Sequence, residues 1–185
     1  MKILLINNHT QHLPALTTAL ADHNVEIQIY EPGLDFHYQG KDLVILSGGG
    51  GEGLEIYDKF NKVREWYDDQ REFILKYDGP LLGICMGFEV ICSAYGSKVE
   101  EMTDWVRGLK ELHTSRKGKA SFATAQLQQS EAHKWRVASV PSKFQVLAHS
   151  NTGIEAIRYK NILATQFHPE LPGTLQLPQL LKASI

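Results

Sequence analysis

Three short stretches carry residues whose types and spacing can do covalent chemistry. The first is Gly83-Ile84-Cys85-Met86-Gly87, where a cysteine stands between an apolar run and a helical pattern. A strand that turns at once into a helix thrusts such a side chain out at the carboxyl edge of a sheet, as a nucleophile elbow does. Glycines on both sides relieve crowding at that turn. The start of the helix favours a thiolate, and the N–H of Met86 is placed to meet a developing oxyanion. The competing reading is a buried cysteine that packs as a small hydrophobe.

The second stretch is Gln166-Phe167-His168-Pro169-Glu170. A cysteine nucleophile needs a group that takes its proton and later returns one to the leaving group, and imidazole does both near neutral pH. A carboxylate two residues along can fix the tautomer and stabilise imidazolium. In an extended chain His168 and Glu170 point to the same side. A surface turn containing His-Pro-Glu is the alternative. The third stretch is Ser47-Gly48-Gly49-Gly50-Gly51. Its backbone N–H groups can approach a ligand closely, and a second oxyanion donor is the assigned role. Phosphate cradling is the rival, although the Gly-Lys-Ser/Thr ending of a P-loop is missing; a plain flexible turn is the third option.

These stretches need elements to hold them. Lys2 to Ile6, Val25 to Tyr30, Leu43 to Leu46 and Leu81 to Ile84 read as short buried strands, alternating with helical patterns over His12 to Ala21, Glu55 to Tyr77 and Phe88 to Tyr95. That alternation predicts a parallel α/β sheet. From Val99 to Leu147 the apolar runs are shorter and interrupted, as in antiparallel strands and loops, with Arg116-Lys117-Gly118-Lys119 as a solvated turn. Val146 to Ala148 and Glu155 to Ile157 form a strand pair around Asn151-Thr152-Gly153, and Ile162 to Phe167 is the final strand. The 185 residues fit one domain, 1–185, and 43% hydrophobic with 22% charged residues is an ordinary globular balance. A net charge of −2 argues against nucleic acid or a membrane as partner, and no run is long enough to span a bilayer. Cys85 and Cys92 lie too far apart on a helix to bridge and make no zinc framework. A reducing, cytoplasmic setting follows. No metal or cofactor is expected: His9 and His12 lack a third ligand and read as a surface loop. Cys92 reads as core.

Ile45-Leu46-Ser47-Gly48-Gly49, Gly83-Ile84-Cys85-Met86-Gly87 and Gln166-Phe167-His168-Pro169-Glu170 stand in the order and spacing of class I, triad-type glutamine amidotransferases, and the chain resembles that family over nearly its whole length. Within it the chain is most similar to the stand-alone glutaminase subunits of GMP synthase, through Ala132-His133-Lys134, Val140-Pro141 and Phe144 to Ser150. The resemblance implies an α/β fold of three layers: a mainly parallel sheet, helices on both faces and a small antiparallel extension. It implies Cys85 as nucleophile, His168 as base and acid, Glu170 as orienting partner, and Gly49 and Met86 as oxyanion donors. Glutamine, or a γ-glutamyl compound, is the implied substrate, and an ATP-dependent synthetase subunit the implied acceptor of ammonia. It also leaves His149-Ser150 on a structural strand.

The chain departs from the family pattern at three places. Glu89 stands where the family has glutamine at the substrate's amino-acid end, the alternative being a solvated helix residue. Ala132-His133-Lys134-Trp135 stands where the GMP synthase pattern has Ser-His-Lys/Gly-Asp, and Lys134 and Trp135 occupy the positions whose backbone meets the substrate carboxylate, with Trp135 otherwise a docking residue or core. Gly50 replaces the proline after the glycine pair, which predicts a looser loop ordered by a partner. Besides a glutaminase, these changes leave a γ-glutamyl hydrolase or peptidase, or a non-catalytic regulatory subunit, as competing functions.

Overall fold

The structure, a computed structural model, describes residues 1–49 and 64–184. Its strands are β1 Lys2–Asn8, β2 Asn24–Ile29, β3 Leu43–Gly49, β4 Leu81–Ile84, β5 Lys98–Thr114, β6 Gln126–Ser139, β7 Gln145–His149, β8 Ile154–Tyr159 and β9 Ile162–Thr165. The helices are α1 Leu13–Ala19, α2 Asp68–Lys76, α3 Met86–Ala94, α4 Arg116–Phe122 and α5 Leu177–Ser184, and a 3₁₀ turn, Arg64–Tyr67, leads into α2.

The apolar runs of β1, β3, β4 and β9 become strands because both of their faces are covered, while β2 at the sheet edge stays partly exposed. Alternate residues feed two cores. Leu4, Ile6, Val44 and Leu46 pack with Phe73, Ile74, Phe88 and Ile91 of α2 and α3. Ile3, Leu5, Leu43 and Ile45 pack on the other face with Leu16 and Leu20, and with Leu180 and Leu181 of α5. The strand order is β2-β1-β3-β4-β9-β8-β6-β5-β7. Strands β2, β1, β3, β4 and β9 run parallel, and β8 pairs antiparallel to β9. The four strands from β8 onward are antiparallel, and β7 pairs back onto β8, so they close into a ring.

That antiparallel part is larger than the small extension expected, because β5 and β6 are 17 and 14 residues long. Most of β5 faces solvent, so its residues carry no clean apolar alternation to reveal a long strand. Arg116 to Lys119 is also not a turn: it opens α4, where Ser115 Oγ accepts from the Gly118 N–H at 3.0 Å as an N-cap. The N-terminal part of the helix expected from Glu55, and Gly50 and Gly51, lie outside the described residues. Among the described residues no helix is long and apolar enough to cross a membrane.

Helix α3 reaches the sheet through its glycines. A Cβ on Gly87 would collide with the Leu46 backbone of β3, and one on Gly83 would come within 2.9 Å of the Gly87 carbonyl carbon. Only glycine at these two sites lets the start of α3 sit directly on β3 and β4. That seating fixes where Cys85 points.

Candidate active site

Cys85 joins β4 to α3 with φ 50° and ψ −108°. Such a backbone costs a non-glycine residue on the order of 1–3 kcal/mol and persists only where its surroundings enforce it. The enforcement is visible: the Cys85 N–H donates to the Thr165 carbonyl of β9 at 2.8 Å, and its carbonyl accepts from the Glu89 N–H at 3.0 Å. The sulfur lies 3.9 Å from the Ala132 carbonyl and 4.0 Å from Gln166 Nε2. Burial pushes the thiol well above its ordinary range, and the charges of Glu89 and Glu170 add to this; the Met86 N–H pulls the other way. The helix start therefore acts in the expected sense, but desolvation outweighs it, and the buried thiol is protonated.

His168 follows β9, anchored by its N–H donating to the Ser130 carbonyl at 2.9 Å. Its Nδ1 lies 2.8 Å from Glu170 Oε1. A carboxylate oxygen accepts, so Nδ1 carries the hydrogen and Nε2 is left as the basic nitrogen. Nε2 is buried and has no partner among the described residues. Glu170 does not reach His168 by strand alternation, as expected from an extended chain. The chain turns at Pro169-Glu170, and the Leu171 N–H donates to the His168 carbonyl at 3.1 Å. Proline brings the carboxylate back under the imidazole.

Gly48 is the residue that both side chains share as a neighbour. A Cβ there would stand 3.1 Å from His168 Cε1, 3.5 Å from Cys85 Cβ and 3.5 Å from Thr10 Oγ1. Gly49 ends β3 against the Met86 thioether, which a Cβ there would have to displace. Met86 is fixed in turn by Tyr67, whose hydroxyl lies 2.9 Å from its sulfur. His12, expected on a surface loop, instead stands edge-on to His168 with ring centroids 4.8 Å apart; burial and His168 lower its pKa.

Glu89 is not a solvated helix residue. It is 1% exposed, and Gln166 Nε2 donates to its Oε1 at 2.8 Å. Burial raises its carboxyl to about 7, against the opposing effects of the Gln166 hydrogen bond and of His133 and His168. Lys134 pairs with Glu101 at 2.9 Å. The Trp135 ring is buried in the core with Phe88 and Ile91, which is its core alternative, and its carbonyl accepts from His133 Nδ1 at 2.6 Å. Cys92 is fully buried, as expected.

Cys85, His168, Glu170, Gly49, Met86 and Glu89 thus converge at the carboxyl ends of β3, β4 and β9, while the side chains of Lys134 and Trp135 are engaged elsewhere. Gln166, which the sequence marks only as part of a motif, is a neighbour of the sulfur and of Glu89. Its contact with Glu89 is made across the fold, and no spacing in the sequence announces it. The geometry offers a thiol, an oriented imidazole with an available basic nitrogen, and a backbone N–H at the sulfur, which together suit acyl transfer through a thioester.

A family model described as glutamine amidotransferase class-I matches residues 4–185. A glutamine-hydrolyzing GMP synthase subunit from Methanobrevibacter smithii is 27% identical over 179 residues, covering 94% of this chain and 89% of that protein. Its counterpart from Pyrococcus abyssi is 29% identical over 179 residues, covering 93% and 90%. Among solved structures, a glutamine amidotransferase from Thermotoga maritima aligns with a TM-score of 0.71 at 19% identity, covering 92% of this chain and 76% of that one. At that identity the likeness is one of fold.

Proposed function

We propose a reaction on the premise that follows from the family match: the chain belongs to the class I glutamine amidotransferases. It hydrolyses the side-chain amide of glutamine and passes the ammonia to a partner synthetase. The observation that carries this is the His168 imidazole beside an elbow cysteine, bound through Nδ1 to Glu170, with Nε2 buried and without a partner among the described residues.

Cys85 gives its proton to His168 Nε2 as its sulfur attacks the γ-amide carbon. The carbonyl π pair moves to oxygen, and the oxyanion is held by the N–H groups of Met86 and Gly49. His168 returns the proton to the amide nitrogen, the C–N bond breaks, and ammonia leaves a γ-glutamyl thioester on Cys85. Water then loses a proton to the same imidazole, attacks the thioester carbon, and glutamate departs as the thiol is restored. Glu170 keeps the imidazole in one tautomer and stabilises its charged form. Glu89 faces the substrate's amino end, where a carboxylate suits an ammonium, and the backbone at Lys134 and Trp135 faces its carboxylate.

The whole chain, 1–185, is read as one amidotransferase domain of three-layer α/β form working in the cytoplasm. Relatives named as one subunit of a GMP synthase imply a second, and the acceptor here is an ATP-dependent synthetase of that kind. The test is glutamate release from glutamine beside a panel of γ-glutamyl peptides, with and without such a synthetase. Turnover of glutamine is the expected result; turnover of the peptides alone would replace this reading with a γ-glutamyl hydrolase.

One substitution probes the geometry directly. Gly48→Ala is expected to lower the rate of glutamate release about ten-fold, because the new methyl displaces the imidazole by a few tenths of an ångström. Thermal stability should change little. A variant as active as the parent would show that Gly48 does not set the spacing of the pair.

A further inference from the structure

Strand β6 buries every second residue from Leu127 to Val137, and three of the inward positions are polar: Gln129, Glu131 and His133. Gln129 is satisfied by the backbone of Leu175 in both directions. Glu131 and His133 instead meet Glu155 of β8, and the three side chains are 3%, 0% and 1% exposed. One ligand atom from each lies within 4.8 Å of the others.

The hydrogen bonds of His133 define what is missing. Its Nδ1 faces the Trp135 carbonyl at 2.6 Å, and a carbonyl only accepts, so Nδ1 carries a hydrogen. This is the backbone bond that fixes metal-binding histidines and leaves Nε2 with its lone pair. Nε2 points at Glu131 Oε2 from 2.8 Å. At that distance a proton on Nε2 completes an ordinary hydrogen bond to Glu131, and an ion held by both atoms would take the place of that proton and spread them apart. Glu155 is held through Oε1 by the hydroxyls of Ser150 and Thr152, at 2.5 and 3.2 Å. Its Oε2, and Glu131 Oε1, are buried with no partner among the described residues. A buried carboxylate oxygen left bare is costly, and here there are two. A cavity of about 370 Å³, lined by Glu131, Ser150 and Thr152, opens beside the trio.

We propose that Glu131, His133 and Glu155 form a binding site for one divalent transition-metal ion, with zinc as the natural probe. One imidazole nitrogen and two carboxylates are a donor set that zinc accepts, with water as the usual fourth ligand of such a site. Two negative charges against two positive ones make the buried cluster neutral. The competing state holds a proton on His133 Nε2 in place of the ion, bridging it to Glu131 Oε2. The site is separate from the proposed nucleophile and does not rest on the glutaminase reading.

The experiment is titration calorimetry of zinc into the Cys85→Ala protein, so that no thiolate at the elbow can take the ion. One equivalent is expected to bind, and Glu131→Gln, checked for folding by circular dichroism, is expected to weaken binding at least about a hundred-fold. No stoichiometric binding, or unchanged affinity in a folded Glu131→Gln protein, would overturn the site. If that variant does not fold, cobalt decides. The Cys85→Ala protein should show visible d–d bands without thiolate charge transfer, and a featureless spectrum sinks the proposal.

Discussion

Replacing Cys85 by alanine is expected to abolish glutamate release, a loss on the order of a million-fold, and His168→Ala is expected to cost as much. Without the sulfur no thioester forms, and without the imidazole neither the thiol nor the departing nitrogen changes protonation state in step. The two residues act as one unit, so the double variant should be no slower than either single one. The loss will not be one of folding. Alanine tolerates φ 50° no worse than cysteine does, and the bonds that hold this turn are made by its backbone. Rates measured at saturating glutamine, alongside matched circular dichroism, decide the matter. A Cys85→Ala protein that kept a tenth of the parent activity would sink the thioester mechanism.

The second large effect lies at Glu89. Its carboxyl titrates at about 7 in the folded chain against 4.5 for the free group, so the native state holds the proton more tightly than the unfolded state. Below about pH 4.5 that advantage is fully present. As pH rises from 4.5 through 7 it is lost, a decline on the order of 3 kcal/mol. Glu89→Gln has no proton to lose, and its amide oxygen still accepts from Gln166. Its stability should therefore stay level across a window in which the parent weakens, leaving it the more stable protein at pH 8. Urea denaturation at pH 5 and pH 8 measures this, and parallel behaviour of the two proteins would refute it. The same substitution removes a charge that pushes the Cys85 thiol up, so alkylation by iodoacetamide should gain its midpoint at lower pH.

The parallel half of the fold was legible because β1, β3 and β4 are nearly pure apolar runs. The elbow at Cys85 was legible because Gly83 and Gly87 mark a close approach that only glycine permits. The antiparallel half was obscure for a physical reason. Along β6 the buried face carries Gln129, Glu131 and His133, so the alternation that marks a strand is one of burial and not of hydrophobicity. Glu89 illustrates a different limit. Its burial depends on Gln166, far along the chain, and no spacing within α3 announces that partner. The approach of His12 to the imidazole edge likewise arises from tertiary contacts alone, whereas Glu170 reaches His168 through a local turn.

The place of β9 in the sheet has a bearing on how the molecule comes into being. It lies between β4 and β8, although among the described strands it is the last in chain order. Until it arrives, β4 presents an unpaired edge, and the backbone of Cys85 lacks the Thr165 carbonyl that holds its turn. The nascent chain therefore carries its thiol in an unfinished socket, and the imidazole that would awaken it is delivered by the same strand that closes the gap. On the proposed mechanism, competence and completion of the sheet are one event, and a half-made chain would leave glutamine untouched.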